Sequence, residues 1–123
     1  NFGGIGQLIG RAGLSVLARR AAARAKARGI RTPDHFAGIV AGEAVDTATL
    51  TQIAVQLGNG VTEVMLHPGT DNETLIRDCL WDHDFEAELA AVCAPEVAAA
   101  LAVNGAQIAN FRAYSPRERG LHE

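Results

Sequence analysis

Val61-Thr-Glu-Val-Met-Leu-His67, closed by Pro68-Gly69, is the stretch on which the fold turns. Its apolar and β-branched residues read as a strand, and the Pro-Gly pair stops it. A period of two places Val61, Glu63, Met65 and His67 on one face, with Thr62, Val64 and Leu66 on the other. If helices cover the Val64/Leu66 face, His67 points inward where the strand ends. Glu63 lies ~13 Å from His67 along such a strand, beyond hydrogen-bond reach, and is expected to serve as a structural ion-pair partner.

Upstream of this strand, Asp46 is placed to cap a helix in which Leu50, Ile53, Ala54 and Leu57 share one face. Before it, Gly29 to Thr32 reads as a short strand stopped by Pro33, with residues 34–38 as a loop. An Ala- and Arg-rich helix from about Leu14 to Arg28 precedes it and ends at Gly29. Downstream, a polar loop runs to about Leu80. A helix follows from near Asp82, with Trp81, Phe85, Leu89 and Val92 as its buried stripe and Glu86 and Glu88 on a solvated face. Pro95 opens another helix, with Val97, Ala100 and Leu101 inward and Asn104-Gly105 as its stop. Ala106 to Phe111 reads as a last strand. Strands alternating with helices predict an α/β fold with parallel pairing. Three strands are too few for a complete (β/α) barrel, which takes ~250 residues. The expectation is therefore a partial, irregular, TIM-barrel-like (β/α) barrel, its C-terminal half only, as a single segment over residues 1–123. Residues 1–13 and 114–123 are expected to be flexible.

The 123 residues are 48% hydrophobic and 20% charged, which excludes a disordered tail. No apolar run approaches the ~18 residues of a membrane span. Cys79 and Cys93 are too few for a disulfide framework and lack CxxC spacing, so a reducing, cytoplasmic setting is expected. The chain starts at Asn1, not Met, and is read as a piece of something longer. Residues 1–31 hold seven bases and no acid, leaving four bases and 14 acids beyond them. That asymmetry raises nucleic acid as a partner, but no recognition motif or stacking aromatic accompanies it, and none is expected. The glycine-rich opening lacks GxGxxG spacing and a preceding strand, so it is no nucleotide loop.

In βα proteins, chemistry gathers where strands end. Thr32-Pro33-Asp34-His35-Phe36 and His67-Pro68-Gly69-Thr70-Asp71 occupy such ends. His67 divides evenly between a capping and a catalytic role, and Asp34 reads first as a turn-former after proline. His83 reads as a surface residue at a helix start, and His35 and His122 carry no signal of their own. No HxH, HExxH or GxSxG pattern appears, so no metal ligand set or nucleophile elbow is expected.

Thr32-Pro-Asp-His-Phe-Ala-Gly38, Gly60-Val-Thr-Glu-Val-Met-Leu-His-Pro-Gly69 and His83-Asp-Phe-Glu-Ala-Glu-Leu89 resemble the C-terminal half of the YdjC/ChbG family. Pro95-Glu96-Val97 and Ile108 to Arg112 follow in the family's order, so the resemblance spans roughly residues 29–112. It implies a carbohydrate deacetylase, dependent on a divalent metal (Mg or Zn), that hydrolyses N-acetyl groups of amino sugars such as chitooligosaccharides. It also implies His67 as the acid that protonates the departing amine, and Asp34, Pro68 and Gly69 as substrate-binding residues. The family's Asp-Asp and His-rich motifs have no counterpart here. The chain alone is therefore expected to hold no metal and to be inactive. The rival expectation is a non-catalytic structural or interaction module. On either reading the thin sheet, with edges to pair, predicts a homo-oligomer.

Overall fold

After Val16 the first helical run contains only Ala, Leu, Arg and Lys, all strong helix formers. In the computed structural model, which describes residues 16–39 and 43–114, it is helical over residues 16–27 (α1). Gly29 closes it at φ +72°, where the Ile30 amide donates to the Ala25 carbonyl and the Gly29 amide to that of Lys26. The Gly-rich opening, the end at 1–13 expected to be flexible, all but the first residue of the other such end at 114–123, and His122 lie outside the described residues; Tyr114 itself closes a short helix. The chain divides into two units, Asn1–Thr32 and Pro33–Glu123. The second carries the sheet and the five remaining helices.

Two short strands form that sheet: β1 (His35–Ala37) and β2 (Thr62–Val64), parallel, with His35 opposite Thr62 and Ala37 opposite Val64. Asp34 sets the register. Its Oδ2 accepts from the Val61 amide at 2.8 Å, while the Asp34 and His35 amides both donate to the Val61 carbonyl. The first strand thus lies beyond Pro33 and not over residues 29–32. β2 is shorter than the run that suggests it, because the last pairing bond is from the Met65 amide to the Ala37 carbonyl.

Asp46 caps α2 (Thr47–Val55), accepting from the Thr49 amide at 2.8 Å. Leu50 and Ala54 on this helix are buried. α4 (Phe85–Cys93) and α5 (Pro95–Val103) pack against α2, and α3 (Asn72–Cys79) lies against α4. The core joins Val45, Leu50, Ala91 and Val97, with Ile53, Leu101, Val64 of β2 and Leu66 just beyond it packed on it. Helices therefore cover the Val64/Leu66 face.

The partial-barrel expectation is overturned. The described residues form a small, mainly helical protein with a two-stranded sheet that does not close. Closure requires every strand to be paired on both sides with a fixed stagger, and two three-residue strands give one pairing. The expected third strand does not form: residues 106–110 are irregular and lead into a four-residue helix, α6 (Phe111–Tyr114). That stretch has a single β-branched residue, Ile108, whose side chain is exposed.

The expected loop after Gly69 contains α3. Asp71 accepts from the Thr74 amide at 3.0 Å, with Glu73 in the first turn and Arg77 in the last. Cap amides hold the carboxyls of Asp46 and Asp71 below the usual aspartate range. α3 ends on Leu80 at φ +51°, a left-handed conformation costly for a branched side chain that is here 90% exposed. Leu80→Gly is expected to stabilise the fold by about 0.5–1 kcal/mol, relief of strain outweighing the freer unfolded chain. An unchanged or lower denaturation midpoint would contradict this.

Candidate metal centre

Three short segments converge where β2 gives way to the Pro-Gly turn. His67 follows β2, His83 lies just before α4, and Glu88 sits in the first turns of α4. Gly69 permits the approach: its amide donates to the Phe85 carbonyl at 3.0 Å, and a Cβ there would strike Leu75 and Phe85. The start of α4 is fixed in turn. Asp84 accepts from the Ala87 amide at 2.9 Å and from the Asn72 side chain at 2.8 Å. Asn72 and Glu86 also exchange backbone-to-side-chain hydrogen bonds.

Glu88 is the pivot. It is 1% exposed. Its Oε1 accepts from the Val45 amide at 3.0 Å and lies 3.0 Å from His83 Nε2; its Oε2 accepts from the His67 amide. His67 Nδ1 stands 3.8 Å from the same Oε2. Burial pushes the Glu88 carboxyl up, but the His67 and Val45 amides and the His83 ring outweigh it, so the net direction is down. No buried side-chain polar atom among the described residues lacks a partner.

The two imidazoles that meet this carboxylate belong to a cluster of four rings. Trp81 stacks on His83 with centroids 4.1 Å apart and planes 24° apart. His67 stands edge-on to both, 5.0 Å from Trp81 and 5.5 Å from His83. Phe85 meets Trp81 and His83 edge-on from within α4. His83 is buried, whereas the His67 side chain keeps 37% of its surface in solvent.

His67, His83 and Glu88 each offer a ligand atom within 4.8 Å of the others. Two imidazoles and one carboxylate are the donor set of hydrolytic zinc sites. Ligands on a tetrahedral zinc at ~2.0–2.1 Å stand roughly 3.3 Å apart, a convergence that small shifts of these side chains would reach. The residues present fit a divalent ion. The expectation of a chain without metal ligands, inactive on that account, is therefore corrected: a candidate triad lies within it.

Two features hide the triad in the sequence. The three residues sit on separate segments, so no HxH or HExxH spacing announces them. The buried stripe of α4 is also turned by about one residue from the expected one: Phe85, Glu88 and Ala91 face inward, while Val92 is exposed and Trp81 precedes the helix. Glu88 is thus not on a solvated face, nor is His83 at the surface.

Of the other candidate residues, Pro68 is exposed next to His67, and Gly69 packs on Leu75 and Phe85. Asp34 stands at the opposite end of the strand pair, bound to Val61, and is not brought to His67. Glu63 is half-buried and has no ion-pair partner among the described residues. His35 Nε2 bonds the Asn59 carbonyl at 3.2 Å, away from the triad. Cys79 and Cys93 are free and exposed.

No described helix is long and apolar enough to cross a membrane. No curated protein and no solved structure matches the chain. A family model does match, over residues 5–103, beginning upstream of the resemblance and stopping short of Ile108 to Arg112. That span is most of the sequence, and the chain belongs to the family of YdjC-like proteins.

Proposed function

We propose that this chain carries the metal centre of a carbohydrate deacetylase that hydrolyses N-acetyl groups of amino sugars, with His67, His83 and Glu88 holding a divalent ion. One observation carries the reading: two imidazoles and a buried carboxylate converge within 4.8 Å, with one imidazole open to solvent. A divalent ion supplies Lewis acidity and an activated water for amide hydrolysis. The donor set favours zinc over magnesium, which prefers all-oxygen sites. Glu88, fixed by the Val45 and His67 amides, sets the position of both rings. Pro68 and Gly69 border the sugar's approach to His67. Asp34 is assigned to strand register.

A second reading keeps His67 as the acid for the departing amine. It is favoured by that ring's exposure and by the 3.8 Å gap to Glu88, which leaves its nitrogens without a hydrogen bond among the described residues. His67→Gln separates the two. If His67 is a ligand, bound zinc and amine release from N,N′-diacetylchitobiose fall together. If it is the acid, zinc stays and kcat falls roughly 100-fold. A wild-type chain that takes up no zinc, cobalt or magnesium stoichiometrically, or a His67→Gln variant of full activity, would overturn the proposal.

Exposed Val103, Ile108 and Phe111, and a sheet with no third strand among the described residues, support self-association. Light scattering at micromolar concentration is expected to give a dimer or larger, and a monodisperse monomer would remove this part of the reading.

A further inference from the structure

The ring cluster holds more aromatic surface than a metal centre needs. Trp81 is the only tryptophan in the chain, and aromatics are 5% of its residues. Its inner face is stacked on buried His83, and two further rings touch it edge-on. His67 lies 5.0 Å from Trp81 and 5.5 Å from His83, and Phe85 lies 5.5 Å and 4.9 Å from the same two rings, so each is about equally far from both members of the stack. Both edge-on rings therefore stand beside the stack, and neither covers the outer face of the indole. Trp81 remains 42% exposed, and its indole N–H has no hydrogen-bond partner among the described residues.

We infer that Trp81 is a stacking platform for one pyranose ring of an N-acetylated amino sugar, held beside His67. The inference rests on the deacetylase reading and deepens it by assigning the contact that holds the substrate. An indole clamped by three rings loses little conformational freedom on binding. Its π face is negative and attracts the C–H groups on a sugar's apolar face, while its N–H can donate to a hydroxyl or an acetyl carbonyl. The neighbouring His67 side chain is the other solvent-accessible member of the cluster, so a ring stacked on the outer face of Trp81 would have His67, the exposed member of the triad, at its edge. A buried tryptophan serving only the core would have both faces covered.

Trp81 is its own reporter, because no other residue contributes tryptophan fluorescence. Titrating the chain with N,N′-diacetylchitobiose is expected to give a saturable change in emission. By calorimetry, Trp81→Ala should weaken binding about tenfold and Trp81→Phe by less, with zinc stoichiometry and circular dichroism as in the wild type. Binding by calorimetry without a fluorescence change, or undiminished binding by Trp81→Ala, would overturn the platform and leave the deacetylase reading standing. Chitobiose that stacks on Trp81 but is never deacetylated would support the platform and sink the deacetylase reading. Absence of any chitobiose binding would overturn the platform.

Discussion

Glu88→Gln is expected to abolish the zinc binding proposed for the triad and to lower stability by about 2 kcal/mol, a loss of roughly 10 °C in Tm for a domain of this size. The isostere keeps the volume but not the polarity. Three donors aim at this carboxylate: the Val45 amide and the His83 ring at Oε1, and the His67 amide at Oε2. An amide NH2 must replace one oxygen, so it faces either the Val45 or the His67 N–H, donor against donor. One buried backbone N–H then loses its acceptor, and the segment bearing His67 is released. Glu88→Ala would leave all three donors unpaired and cost about 3–5 kcal/mol, close to the whole stability of a small domain. Gln is therefore the informative variant.

The pH dependence has a definite sign. Folding lowers the Glu88 carboxyl below the usual glutamate value of 4.5. Its stabilisation is thus complete above about pH 4.5 and is lost as pH falls through the lower value of the folded state. The Tm gap between wild type and Glu88→Gln should be widest near neutrality and shrink in acid. A variant with unchanged Tm and full zinc content would show that the carboxylate does neither job.

Much of the helical scaffold could be read in one dimension because its signals are local. Asp46 caps α2, Pro95 opens α5, and Asn104-Gly105 ends it, each through contacts a few residues away. The strand length is not legible in the sequence because extended pairing needs a partner strand, and past Met65 the backbone bonds the Glu88 side chain and the Phe85 carbonyl instead. Alternation from Val61 to His67 describes a potential strand, and only its first half is used. α3 leaves little trace in the sequence because its sole apolar pair, Leu75 and Ile76, is too short for periodicity, although Asp71 and Thr74 carry the cap.

The candidate centre shows the same division. His67 stands out in the sequence because it ends an apolar run at a Pro-Gly turn. Glu88 and His83 do not, because a helix start rich in Asp and Glu looks like ordinary surface. What distinguishes Glu88 is the arrival of Val45 and His67, from 43 and 21 residues away. No local pattern encodes that.

The approach of His67 to Glu88 depends on the chain's exit from β2, and Gly38 controls that exit. Gly38 follows β1 at φ +95°, and a Cβ built on it would fall onto the carbonyl oxygen of Met65, with the Met65 amide nitrogen 2.9 Å away. Both obstacles are backbone and cannot rotate aside. Gly38→Ala must either break the hydrogen bond from the Met65 amide to the Ala37 carbonyl or push residues 65–67 off the core, and Leu66 and His67 would go with them. Gly105→Ala, in the same unit, is the matched control: it too has a positive φ, +66°, but a Cβ there meets nothing within 4 Å. The control should cost about 1 kcal/mol, the conformational penalty alone. Gly38→Ala carries the same penalty plus the clash, and is expected to cost more than about 3 kcal/mol and to weaken zinc binding together with folding. Chemical denaturation of both variants, with zinc content measured on each, makes the comparison. Equal losses would mean that Met65 yields freely and that the position of His67 does not depend on the β1–β2 contact.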